Sequence, residues 1–213
     1  MNHTVSHANE KMQKSISQYL DSLHDNYSKL VAIRIDLGYN KEHAQQTQLS
    51  DIKQDVKRML DNRRGKPSIF ENQVGYVIKY EDTPDKGPHA HALFLYDGQH
   101  VQKDGYRGDQ LGLYWNERIT EGTGVYHNCN RDKKKYLNCG IGMIDHSDTT
   151  KRDNLINHVV PYMLKAEQTI DGIRQTGKEK SITKGIAPKT KSSTGRPRAS
   201  KDEVLKVGGG SER

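Results

Sequence analysis

Two histidines one residue apart, His89 and His91, are the side chains in this sequence best suited to chemistry. They lie in GPHAHALFLYDG, a stretch that otherwise has the apolar character of a buried strand. Residues i and i+2 of a strand point to one face with Cα atoms roughly 6.6 Å apart, so two imidazoles can converge on one cation. Leu93 and Leu95 continue that face and would limit access of water. The pair therefore predicts a metal site on a strand.

Glu81 is the candidate third ligand of this site. It ends the preceding predicted strand, and a short antiparallel turn would bring its carboxylate over the two rings. Two imidazoles and one carboxylate leave positions for a phosphate oxygen and water, and the set suits Mg²⁺ or Mn²⁺, with other divalent cations as alternatives. Taken singly, each residue has an ordinary alternative, a surface histidine or a solvated charge at a strand end.

Tyr162 and Lys165 form the second candidate group, within VVPYMLKAEQ. Residues three apart on a helix share a face, so the ammonium could stabilise a phenolate or hold an approaching phosphate. A free phenol has a pKa of about 10 and needs help to attack, which a metal-bound phosphate would partly supply. The alternatives are a half-buried tyrosine packed against Val159 and, for His158 one turn earlier, either a bystander or a proton acceptor.

The elements that must position these residues follow from hydrophobic periodicity and turn signals. The sequence predicts a helix over 8–28, a strand over 30–39, a helix capped by Ser50 and running to about residue 64, strands over 74–81 and 89–97 joined as a hairpin, a helix over 108–120, a short strand over 140–145 and a helix over 150–169 with a kink or restart at Pro161. This order predicts an α+β fold, an antiparallel sheet flanked by helices.

The positive charge of the chain is concentrated at its C-terminal end. The formal net charge of the 213 residues is +7, and residues 171–213 carry eleven Lys or Arg against five Asp or Glu. This segment has neither helical nor strand periodicity, which predicts a disordered basic tail. The tail is either a nucleic-acid arm or a solubilising extension. Residues 1–28 are predicted as an N-terminal helical segment and residues 29–170 as the domain that carries both candidate groups.

The cysteines and the hydropathy pattern bear on the compartment. Cys129 and Cys139 match no trusted zinc spacing, and a reducing environment is the default for so few cysteines. The sequence has no apolar run long enough to cross a membrane and no apolar stretch of the signal-peptide type near residue 1. We therefore expect a cytoplasmic protein without a membrane partner.

Taken together, these motifs resemble the HUH endonuclease superfamily, named for its His-hydrophobic-His strand. The pattern is similar to that of the inovirus-type replication initiators of filamentous phages and prophages. The resemblance covers roughly residues 28–170 and rests on the order of LVAIRIDLGY, YVIKYEDTPDKGPHAHALFLYDG and VVPYMLK. Ala90 is a small residue for the position between the histidines, and only one catalytic tyrosine is evident, where some phage initiators carry two.

The resemblance implies a fold and an activity. It implies a five-stranded antiparallel sheet, a divalent metal held by His89, His91 and Glu81, and attack of Tyr162 on single-stranded DNA at a replication origin, with assistance from Lys165. The products would be a 5′-phosphotyrosine link and a free 3′-hydroxyl that primes rolling-circle replication. Because no Walker-type motif follows, a helicase would come from the host. A host polymerase is the other expected partner.

Two other functions fit the same residues. The first is a prophage DNA-binding regulator that has the fold but has lost catalysis. The second is a metal-dependent hydrolase that forms no covalent intermediate.

Overall fold

The computed structural model describes residues 7–164 and 181–189, which form an α+β fold around one six-stranded sheet. The helices are α1 His7–Asn26, α2 Lys41–Ala44, α3 Leu49–Asp61, α4 Pro67–Phe70, α5 Asp104–Tyr114, α6 Thr149–Asn154 and α7 Val160–Met163. The strands are β1 Lys29–Tyr39, β2 Gln73–Thr83, β3 Gly87–Asp97, β4 Gly124–Asn128, β5 Gly142–Asp145 and β6 Ile182–Lys184. A π turn, Trp115–Ile119, continues α5, and another, Leu155–Val159, joins α6 to α7.

The sheet is antiparallel and has the order β4-β1-β3-β2-β6. β5 also pairs with β1, opposite residues 29–32, whereas β4 lies opposite residues 35–39. Because β3 occupies the other edge of β1, β4 and β5 lie end to end in one position. The predicted α+β fold with an antiparallel sheet of about five strands is confirmed, since the sheet is five positions wide although it contains six strands.

Helices cover both faces of the sheet. On β3, Ala92 and Phe94 point to the face covered by α3, α4 and α5, while Leu93 and Leu95 point to the opposite face. That opposite face is covered by α1 and by the segment from α6 to α7. All four of these β3 side chains are fully buried, as the alternation of a strand between two helical layers requires.

Three of the differences from the sequence predictions concern the start of α3 and the strands β4 and β6. The N-cap of α3 is Gln48, whose backbone N–H donates to the Asp51 carboxylate at 2.8 Å, and Ser50 lies inside the first turn. β4 was not predicted because its five residues are too short and too polar to show a clear period.

β6 is the third difference, because it lies inside the predicted disordered tail. It pairs with the outer edge of β2 and buries Ile182, so it covers backbone groups that an edge strand would otherwise expose. The rest of the predicted tail, residues 171–180 and 190–213, lies outside the described residues, and its disorder stays a prediction. No helix among the described residues is long and apolar enough to span a bilayer.

Candidate active site

The candidate site lies where β1, β3 and β2 run side by side. The register pairs His91 with Asp36 of β1 and with Lys79 of β2, and it pairs His89 with Glu81. Directly paired residues of neighbouring strands point to the same face, so these five side chains share one face of the sheet. It is the face that carries Leu93 and Leu95 further along β3. Ala90 points to the other face and is fully buried there.

Glu81, His89 and His91 form a compact group of potential metal ligands. One oxygen of Glu81, Oε2, lies 3.3 Å from His91 Nε2 and 3.4 Å from His89 Nε2. The three ligand atoms lie within 4.8 Å of one another, and the Glu81 side chain is fully buried. The two rings are nearly perpendicular, with centroids 5.2 Å apart. A potential divalent metal site is therefore present where the sequence predicted it.

The other ring nitrogen of each histidine is held by an acceptor. His91 Nδ1 lies 2.6 Å from Asp36 Oδ1, and His89 Nδ1 lies 2.8 Å from the Gly87 carbonyl oxygen. A carbonyl or an ionised carboxylate can only accept, so each Nδ1 carries the proton and donates it. When the rings are neutral, both Nε2 lone pairs then point towards Glu81, the arrangement in which metal-binding histidines are oriented by supporting hydrogen bonds.

Gly87 provides its carbonyl from a backbone conformation that favours glycine. Its φ is +66°, and a Cβ at this position would lie 3.0 Å from the Ala44 carbonyl oxygen. The turn between β2 and β3 therefore fixes the carbonyl that orients His89.

The electrostatics of the group are strongly coupled. Burial alone would lower the pKa of His91, but hydrogen bonds with Asp36 and Glu81 outweigh it and raise the pKa to about 9. Burial would raise the pKa values of Asp36 and Glu81, but their contacts with the imidazoles lower both. At neutral pH both carboxylates are therefore ionised and His91 is protonated, so a cation that binds His91 Nε2 would displace this proton.

An unsatisfied oxygen supports the fit of a cation. Glu81 Oε1 is buried and has no hydrogen-bond partner among the described residues. A buried carboxylate oxygen without a partner costs free energy, and a bound cation would offset that cost. The donor set of one carboxylate and two imidazoles matches the ligands of divalent metals in proteins. The residues present thus fit a divalent cation, which Glu81, His89 and His91 would hold.

Tyr162 is positioned by the helical segment that runs from α6 to α7. Leu155, Val160 and Met163 of this segment are buried in the apolar cluster on the site face of the sheet. Pro161 has no N–H and lies in the first turn of α7, directly after the π turn at Leu155–Val159. The predicted kink or restart at Pro161 thus takes the form of a wider turn, which accommodates the proline ring.

The Tyr162 side chain lies beside His91. The two ring centroids are 6.5 Å apart and the rings are nearly perpendicular. The guanidinium carbon of Arg34 lies 4.4 Å from the centre of the Tyr162 ring, and the same guanidinium is 3.5 Å from Asp36. Tyr162 remains 46% exposed, so its side chain is accessible from solvent. The structure therefore brings the tyrosine helix and the histidine strand together on one face.

Two cavities meet at this group. The larger, of about 1050 Å³, is lined by His89 and His91 and by the turn that joins β2 to β3. The smaller, of about 520 Å³, is lined by Arg34, His158 and Tyr162. Asp36 and His127 line both cavities. An extended ligand could therefore pass from the metal ligands to the tyrosine without leaving the surface.

A comparison with family models identifies the family of the chain. The model of the YagK/YfjJ C-terminal domain matches residues 1–121, more than half of the sequence. The chain belongs to the YagK/YfjJ C-terminal domain family. No curated protein and no solved structure is significantly similar to it. The part that matches the YagK/YfjJ C-terminal domain contains Asp36, Glu81, His89 and His91 and ends before Tyr162.

Two site residues of this YagK/YfjJ-family chain were missed by the sequence reasoning. Arg34 and Asp36 are charged residues at alternate positions of β1, and after Lys29 no other residue of this strand is charged. That alternation was a usable signal, because charged residues on one face of a buried strand need partners there. Lys165 lies outside the described residues, so its predicted role stays a prediction. His158 lines the smaller cavity with Tyr162 and is exposed.

Proposed function

We propose that the chain nicks and rejoins single-stranded DNA in a metal-dependent reaction with a covalent 5′-phosphotyrosine intermediate at Tyr162. The biological setting is the start of rolling-circle replication of a prophage, phage or other mobile element. The substrate is single-stranded DNA at a replication origin, and a host helicase and polymerase extend the free 3′-hydroxyl. The working cation is Mg²⁺ or Mn²⁺, in keeping with the carboxylate and the open coordination positions.

The proximity of Tyr162 to His91 is the observation that supports this proposal most. Because the Tyr162 and His91 ring centroids are only 6.5 Å apart, a phosphate on a cation held by His91 would lie within reach of the phenol. The partial exposure of Tyr162 gives the substrate access to the phenol. The guanidinium of Arg34 over the ring provides a fixed positive charge next to the developing phenolate.

The chemical step conserves phosphodiester bonds. The Tyr162 hydroxyl loses its proton to water, and the phenolic oxygen bonds to the phosphorus of the DNA. The bond from phosphorus to the 3′-oxygen breaks, and this oxygen takes up a proton from water. The bound cation would neutralise phosphate charge and make phosphorus more electrophilic. Rejoining is the reverse reaction with a 3′-hydroxyl as the nucleophile, so the cycle needs no external energy source.

The test is formation of a covalent adduct. The full-length chain is incubated with Mn²⁺ and labelled single-stranded oligonucleotides that tile the DNA flanking its own gene. We expect a DNA–protein species that survives denaturing electrophoresis and is absent with Tyr162→Phe. Tyr106→Phe removes another exposed phenol, one that lies outside both cavities, and should leave the adduct unchanged.

The same experiment separates the two other functions. A chain that binds the oligonucleotides and never cleaves them is a DNA-binding regulator. A chain that cleaves them equally well with Tyr162→Phe is a hydrolase without a covalent step. Either result overturns the nickase proposal.

A further inference from the structure

The chain leaves the sheet between β4 and β5 and forms what we call the projecting loop, residues 129–141, which begins with the 3-10 helical segment Cys129–Lys135. β4 ends at Asn128 and β5 begins at Gly142, and both pair with the same edge of β1. Among the described residues no strand pairs with this edge of β1 at residues 33 and 34, because the chain leaves the sheet between β4 and β5. The projecting loop is basic and partly apolar, and it lies over the site face.

Asn130 holds the base of the projecting loop in the gap of the sheet. Its side-chain oxygen accepts the N–H of Arg34 at 2.9 Å, and its amide group donates to the Ala32 carbonyl at 3.0 Å. These are the two backbone groups that a missing strand would have paired. The amide group also lies 2.7 Å from Asp104, which binds Lys133 at 2.6 Å. Since Asn130 is buried, the loop starts from a defined position on the sheet.

Beyond this base the projecting loop is basic and exposes a large apolar side chain. It contains four basic residues and one acidic residue, Asp132. Lys134 and Lys135 are exposed, and the ion pair of Lys135 with Asp132 is solvent-exposed and therefore weak. Leu137 is 97% exposed. Lysines beside an exposed apolar side chain suit a ligand with phosphates and flat bases.

The projecting loop and Tyr162 line the same cavity. Lys135, Tyr136 and Leu137 line the smaller cavity, of about 520 Å³, together with His158 and Tyr162. Tyr136 is half-buried, while Leu137 and Lys135 are exposed. A strand bound at Tyr162 must therefore pass next to the loop.

We infer that the projecting loop binds the stretch of single-stranded DNA next to the bond that Tyr162 attacks. Lys134 and Lys135 contact its phosphates, and Leu137 packs against a base or inserts between two bases. The inference rests on the proposed function for the identity of the strand. It goes further by assigning a binding element that lies outside the family match of residues 1–121.

The test measures affinity by fluorescence anisotropy of a labelled mixed-sequence single strand over a series of salt concentrations, with the full-length chain. Lys134→Ala/Lys135→Ala should weaken binding several-fold and reduce the salt slope by about 0.7 for each lost phosphate contact. Leu137→Ser should weaken binding with an unchanged salt slope. The matched controls are Lys57→Ala/Lys66→Ala on the opposite side of the sheet and Ile186→Ser, which removes another fully exposed apolar side chain.

Each outcome of the binding test decides the inference. Loop variants that bind like their controls overturn it, whatever the adduct assay shows. Equal losses for a duplex of the same sequence overturn the assignment to a single strand. If the wild type forms no adduct but the loop variants bind DNA more weakly than their controls, the nickase proposal fails and the DNA-binding role of the loop stands. If adducts form, saturating DNA should restore the wild-type adduct rate in the loop variants.

Discussion

β3 crosses two regions of one sheet face that differ in chemistry. Leu93 and Leu95 are fully buried beneath α1 and the segment from α6 to α7. His89 and His91 lie on the same face further towards the turn, where they contact carboxylates and line a large cavity. The change from leucines to histidines takes place within one two-residue step of the strand.

The two regions depend on each other through the tyrosine helix. Burial of Leu155, Val160 and Met163 in the apolar region fixes the segment from α6 to α7. The exposed side of that segment then presents Tyr162 to the histidine region. We conclude that the apolar region provides stability and position, and we propose that the histidine region provides the chemistry. Mutations should therefore separate the two.

Removal of two ligands should have the largest effect on the histidine region. For His89→Ala/His91→Ala we expect the Mn²⁺ affinity to fall by more than about 100-fold. A loss of that size is the most expected when only a supporting hydrogen bond is removed. The readout is thermal unfolding with Mn²⁺ or with EDTA. At a Mn²⁺ concentration about 100 times the Kd, the free energy of unfolding of the wild type should rise by about 2.7 kcal/mol, and that of the variant should not change. His100→Ala, in an exposed loop, should keep the gain, and a retained gain in the double variant would show that the metal binds elsewhere.

Truncation of a leucine should affect the apolar region almost exclusively. Leu95→Ala should lower the free energy of unfolding by about 2–5 kcal/mol because it leaves a cavity in a fully buried cluster. Urea unfolding measures this loss, and a Mn²⁺ titration of the folded variant should give the wild-type affinity. Leu113→Ala, at a partly exposed position, should change stability by less than about 0.5 kcal/mol. A change in metal affinity with Leu95→Ala would contradict the separation of the two regions.

The limits of sequence reasoning follow the same division. Glu81, His89 and His91 could be predicted because one hairpin brings them together, so strand periodicity and a short turn are sufficient. The roles of Arg34 and Asp36 depend on the pairing of β1 with β3. These strands are far apart in the chain, and their register cannot be predicted from the residues alone. β6 could not be predicted because three residues show no period, and burial of Ile182 depends on the edge of β2.

Asp36 offers a finer test because it touches the histidine region without being one of the three proposed ligands. Asp36→Asn should weaken Mn²⁺ binding by about 10- to 100-fold, since an amide orients the His91 ring less firmly than a carboxylate. Isothermal titration measures the change. Asp55→Asn alters the carboxylate that accepts from Tyr39 at 2.7 Å on the other face of the sheet, and it should leave the affinity unchanged. Wild-type affinity with Asp36→Asn would mean that Asp36 does not position His91.

Arg34 should give the smallest effect, because it acts on the tyrosine through its ring face. A cation over an aromatic ring contributes about 0.5–2 kcal/mol, which corresponds to roughly a two- to thirtyfold change in rate. Arg34→Met should slow adduct formation by that factor at saturating DNA. The adduct rate of Arg34→Lys should lie between the rates of Arg34→Met and the wild type, since lysine keeps the charge but not the planar group that stacks on the ring.

The comparison with metal affinity decides how Arg34 acts. Its guanidinium also contacts Asp36 at 3.5 Å, so a loss of rate could arise indirectly through His91. If Arg34 acts on Tyr162, Arg34→Lys should slow the adduct rate while Mn²⁺ affinity stays at the wild-type value. A parallel fall of rate and affinity would assign Arg34 to the support of Asp36 instead. An unchanged rate with Arg34→Met would remove Arg34 from the chemistry and leave Tyr162 dependent on the metal-bound phosphate alone.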